Sequence, residues 1–291
     1  MNTPEESAPQ EPAEPVSESP PEALPEGTTP SRKLRELFIA IFTWLVSVAL
    51  LLLPQILALP YLLYYYQGKP LTRESLLADK TLVVLLVAGI LPAHLITLAV
   101  TWAVATRFGK IPAKAALQWH WASPISILKS MGLAVVLFGL AWAVTLIFGG
   151  QETDIERILK SSRTAALIVA FLAVVTAPLV EEIVYRGILY PAWQRLTGST
   201  AAVIIVTLSF ALPHIPQYWP NMAVIASITT LSLILTIVRA RTGNLLHCYL
   251  IHLVFNGVQA ILIVLETLVR SLKTPNPDVV PTFIQSLLKI L

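Results

Sequence analysis

The stretch AALIVAFLAVVTAPLVEEIVYRGILY (residues 165–190) decides how the chain is read. Its first part is a run of apolar side chains suited to a helix in lipid. Its second part carries Glu181, Glu182 and Arg186, which lipid does not suit. Burying a charge costs several kcal/mol unless it is paired, hydrogen-bonded or hydrated. An ionisable residue within a span therefore points to a functional site. Capping a helix end beside the head groups would account for one such charge, but it accounts poorly for the pattern Glu-Glu-x-x-x-Arg.

The rest of the chain supports the membrane reading. Of 291 residues, 55% are hydrophobic and only 13% charged, with a mean hydropathy of +0.71. A soluble domain has about half apolar residues and roughly 25% charged ones. Several runs approach the ~20 apolar residues that cross a bilayer. The expected fold is all-α, a polytopic transmembrane helical bundle of about seven to eight spans. The expected spans are 37–66, 81–106, 125–148, a fourth from 164 into the quoted stretch, 201–212, 221–238 and 245–268. Pro54 and Pro60 leave the first run as one kinked span or a span plus an interfacial piece. Pro213 and Pro216 end the fifth.

Charge is unevenly spread. Residues 1–30 hold seven glutamates, eight prolines and no basic residue, a composition expected to stay disordered. The remainder carries 20 basic and 10 acidic residues, a balance of +10. Such basic residues set topology and meet anionic head groups rather than nucleic acid. Arg32, Lys33, Arg35, the 107–114 loop, Arg239 and Arg241 favour a cytoplasmic N-terminus. The acidic start does not have the character of a signal or transit peptide, and a bacterial cytoplasmic membrane is the expected location. The single Cys248 excludes an intrachain disulfide and a cysteine metal cluster, and reads as a packing residue. The expected divisions are a tail (1–30), N-terminal transmembrane helices (31–124), a transmembrane core (125–268) and a short interfacial C-terminal tail (269–291).

On a helix, residues four apart share a face, so Glu182 and Arg186 pair, while Glu181 points elsewhere and needs a distant partner. His214, in FALPHI after Phe210, and His252 with Asn256 on one face of the seventh span compete for that place. His94 reads as a packing residue, His247 as interfacial, and Glu266 with Arg270 as a structural pair. A carboxylate facing imidazoles can take a proton from water, and a histidine with an adjacent amide can donate to an oxyanion. The same Glu/His/His set also suits a divalent metal that activates water. A proton relay in a transporter uses such groups too, although no internal repeat supports it.

Taken in order, EEIVYR (181–186), FALPH (210–214) and HLVFN (252–256) resemble the three motifs of the CPBP intramembrane proteases. This is the family of type II CAAX prenyl endopeptidases and bacteriocin-immunity-like proteins. The resemblance covers roughly 125–268 and implies an endopeptidase acting on a membrane-associated or lipidated protein. It implies Glu181 as general base, His214 as its partner on the water, and His252 with Asn256 at the oxyanion. Glu182, Arg186 and Phe210 would support the site. A metal such as zinc, on Glu181, His214 and His252, stays open, and so does a non-catalytic scaffold or immunity role on the same bundle. The tail and the first two spans lie outside the resemblance and are assigned to localisation or partner binding.

Overall fold

The computed structural model describes residues 30–120, 126–149 and 152–273. The expected acidic tail and the interfacial segment from 274 onward lie outside the described residues. Among those described, every regular element is helical. Seven helical runs are long and apolar enough to cross a membrane: Pro30–Tyr65, Lys80–Ala105, Ile127–Phe148, Arg163–Thr197, Ser199–Tyr218, Met222–Thr242 and Leu245–Arg270. The chain is an integral, multi-pass helical membrane protein. The first run settles as one continuous unit, with a 3₁₀ turn at Leu50–Leu52 just before Pro54. At 1.5 Å per residue it is about 54 Å long, well beyond a ~30 Å hydrocarbon core, so it must tilt or emerge.

Helix starts follow local capping chemistry. Ser126 accepts from the Lys129 amide at 3.2 Å, and Asn221 from Val224 at 3.2 Å. Asp79 opens the second span by accepting from Thr81 and Leu82 at 3.0 and 3.1 Å. Its other oxygen takes the Tyr61 and Tyr66 hydroxyls at 2.9 and 3.2 Å. Partial burial opposes ionisation of Asp79, but these donors together hold its carboxyl below the usual carboxylate range. The sixth span stops at Gly243, whose φ of 64° is the left-handed conformation glycine tolerates.

The fifth span differs from expectation. It does not end at Pro213 but continues through a 3₁₀ turn, Leu212–His214, and a short helix, Ile215–Tyr218. Both prolines occupy first-turn positions of a new helical segment, where the missing N–H has no partner to lose. The fourth span changes geometry three times. An α-helix ends at Val175, a single turn spans Ala177–Glu181, and a π-helix runs over Glu182–Leu189. That π segment forms the centre of the largest buried cluster. Val184, Ile188 and Leu189 pack there with Leu37 and Ala40 of the first span, Val206 and Phe210 of the fifth, and Leu245 of the seventh.

Candidate active site

The break in the fourth span sets the site. Pro178 has no N–H, so the helical ladder cannot run unbroken through it. The π-helix that follows is the kind of local widening that recurs at functional sites. The expected α-helical spacing of Glu182 and Arg186 is therefore replaced by π geometry, yet the pair forms: Arg186 Nη1 donates to Glu182 Oε1 at 3.1 Å. Neither side chain has exposed surface (0% for both).

Full burial of that pair requires more partners, and the sixth span supplies them. Arg186 Nη2 donates to the Ser232 hydroxyl and carbonyl at 2.8 and 3.0 Å, and Nε to Thr236 at 3.3 Å. Arg239, expected at the membrane surface as a topology signal, is buried instead. It donates to the Arg186 carbonyl at 3.0 Å and to Gln118 Oε1 at 2.8 Å, and also to the Gly243 carbonyl. The reason is that the widened π turn leaves a backbone acceptor, and a guanidinium carries enough donors to fill it. Ser232, Thr236 and Arg239 lie on one helical stripe, a signal present in the sequence and not used there.

Glu181 has a different environment. Its side chain is 23% exposed, with that of His214 at 20%, so water can share the cost of its charge. His214 Nε2 lies 3.9 Å from Glu181 Oε1, and His252 Nε2 lies 3.6 Å from Glu181 Oε2. Both separations exceed a direct hydrogen bond and suit a bridging water. The other ring nitrogens are engaged. His214 Nδ1 donates to the Phe210 carbonyl at 2.8 Å, because a carbonyl can only accept. His252 Nδ1 lies 2.8 Å from Glu182 Oε1. Each His252 nitrogen thus faces a carboxylate, so the protonated ring has an acceptor for both N–H groups. Phe210 organises the cluster: it stacks on His214 at 4.8 Å, meets the His252 ring edge to face at 6.1 Å, and lies 4.7 Å from the Arg186 guanidinium.

Asn256 stands one turn beyond His252 and gives an amide hydrogen to the Ala173 carbonyl at 3.0 Å, leaving its second N–H. His94, from the second span, bonds Thr176 at 2.7 Å through Nδ1. The Trp44 indole donates to the Tyr185 hydroxyl at 3.4 Å, so both N-terminal spans reach the motif segment. His247, near the start of the seventh span, is fully buried within the protein, with Nδ1 2.8 Å from the Ser130 hydroxyl of the third span. Cys248 is free and buried, and Glu266 pairs with Arg270.

Two imidazoles and a carboxylate are the donor types of a catalytic zinc. As positioned, they are not gathered into a metal centre: among the described residues no group of three or more His, Cys, Asp or Glu side chains could hold an ion.

Fold and site together place two carboxylates and two imidazoles side by side within a bundle of seven membrane-length helices. Residues 163–258 match the model of a family described as Rce1-like, type II CAAX prenyl endopeptidase Rce1-like. The match covers about a third of the chain, and the matched segment contains all three motifs. No curated protein and no solved structure gives a match.

Proposed function

We propose that the protein hydrolyses a peptide bond of a membrane-associated or lipidated protein, with Glu181 as the base that activates water. The supporting observation is the setting of Glu181, partly exposed and flanked by two imidazole Nε2 atoms whose Nδ1 positions are already committed. Glu181 takes one proton from water, and His214 Nε2 accepts the hydrogen bond of the other. The resulting hydroxide oxygen adds to the scissile carbonyl carbon. The oxyanion is met by Nε2–H of protonated His252 and by the second amide hydrogen of Asn256. Glu182, on Nδ1, orients that ring and balances its charge, the part a buried carboxylate plays behind a catalytic histidine. Collapse breaks the C–N bond, and Glu181 returns its proton to the leaving amine. The products are one carboxyl and one amine terminus.

Glu181, His214 and His252 are the donor types that a divalent cation such as zinc would use, but as positioned they do not gather into a site for it. The steps above do not require it. We also propose a cytoplasmic N-terminus. Seven alternating spans bring Arg32, Lys33, Arg35, Arg107, Lys110, Lys114 and Arg241 to one side, as the positive-inside bias expects.

The test is to incubate the purified full chain with a prenylated peptide and with an unprenylated transmembrane peptide, each with and without a chelator, and to read new termini by mass. Cleavage that survives the chelator supports glutamate-activated water. Cleavage abolished by the chelator and restored by zinc moves the chemistry to a metal. A folded protein that cleaves neither class contradicts the protease reading.

A further inference from the structure

His94 lies in the second span, outside the matched segment, and reads from sequence as mere packing. Its ring is nevertheless bonded at 2.7 Å to Thr176, the residue at which the first helix of the fourth span stops. Both side chains are buried. The Thr176 hydroxyl also lies 3.3 Å from the Leu172 carbonyl, an acceptor it can serve when His94 Nδ1–H donates to it. On the helix just before the same break, Asn256 holds the Ala173 carbonyl at 3.0 Å. Pro178 removes the backbone bond that would otherwise fix the turn carrying Glu181. Backbone bonds from Thr176 to Leu172 and from Val180 to Thr176, at 3.2 and 3.0 Å, still flank the missing one, and side-chain ties, one from the second span and one from the seventh, add to them at the joint.

We infer that His94 is a positioning residue for Glu181, acting through Thr176 to hold the break in the fourth span at the angle that aims the carboxylate between His214 and His252. The inference rests on the reading of Glu181 as the base. A displacement of about 1 Å at a reacting group can cost a hundredfold in rate, so a buried tie next to the joint is a sensitive place. Asparagine at position 94 sets an amide N–H where Nδ1–H stood and keeps the tie; alanine deletes it. Thr176→Val keeps the shape of the joint and deletes the acceptor.

Two readouts are made on the full chain in detergent. The first is kcat and KM for a cleaved peptide. His94→Ala and Thr176→Val are each expected to lower kcat at least tenfold with KM within about twofold. His94→Asn recovers most of the rate, and the double variant is no slower than the worse single one. The second does not depend on cleavage: the rate at which dicyclohexylcarbodiimide, a membrane-permeant carboxyl reagent, labels Glu181, read by peptide mass. It is expected to change at least threefold in His94→Ala and Thr176→Val, and to return in His94→Asn. Wild-type labelling in both variants overturns the inference, whatever the cleavage assay gives. Changed labelling beside a wild-type protein that cleaves nothing defeats the protease reading and upholds the positioning role. Thr176→Val, being isosteric, carries the test if His94→Ala does not fold.

Discussion

Glu181 and Glu182 are sequence neighbours with opposite environments, 23% exposed against 0%. Glu182 shares its Oε1 between Arg186 and His252, at 3.1 and 2.8 Å. Removing one partner of a buried ion pair leaves the other uncompensated, at a cost of about 3–5 kcal/mol. Arg186→Met is accordingly expected to destabilise the protein by about that amount, lowering the melting temperature measured in detergent; an unchanged melt would show that the pair contributes little. Phe210→Ala is expected to cost about 3–5 kcal/mol and also to release the His214 ring. The pairing of Glu182 with Arg186 was legible at this scale, since a spacing of four survives even the π geometry. The burial of Arg239 and His247 was not. A basic residue near a loop looks like a surface residue until the opposing carbonyl or hydroxyl, in each case on another span, is known.

Helix geometry carries the next level. The spans were legible because length and apolarity alone qualify a run to cross a bilayer. The breaks were harder, because proline has two meanings: Pro213 and Pro216 each begin a further helical segment instead of ending the span. The π-helix has no periodic signature that would have revealed it, and it decides how the polar face of the fourth span is presented. At the start of the second span, Asp79→Ala removes the N-cap and is expected to cost about 1 kcal/mol at neutral pH. The sign with pH follows from the depressed carboxyl of Asp79. Its stabilisation is full above the ordinary carboxylate pKa, and it is lost as pH falls through the lower folded value. Melting curves of wild type and Asp79→Ala should therefore converge on acidification below about pH 4; a gap that widens there would contradict the capping role.

At the scale of the molecule, the helices outside the matched segment take part in building the site. The first span contributes Trp44, which bonds Tyr185, and the second contributes His94. The two spans are themselves pressed together where a Cβ on Gly89 would stand 2.9 Å from the Pro54 Cα, a backbone atom that cannot yield. Gly89→Ala is thus expected to force them apart, at about 1–3 kcal/mol, and to lower activity along with stability. Unfolding and cleavage measured on the same preparation check this. From the sequence, these spans were assigned to localisation or partner binding, because no motif marks a tie between one histidine and one threonine on different helices. The three motifs, by contrast, hold Glu181, His214 and His252, whose imidazoles stand 3.9 and 3.6 Å from the Glu181 carboxylate. The most direct test of that centre is the hydrolysis rate of one membrane peptide by equal folded amounts of wild type and Glu181→Gln. A base that activates water predicts a loss of at least a hundredfold, in the range of a positioned acid–base group, with peptide binding retained. A Glu181→Gln variant that cleaves at the wild-type rate would contradict the assignment.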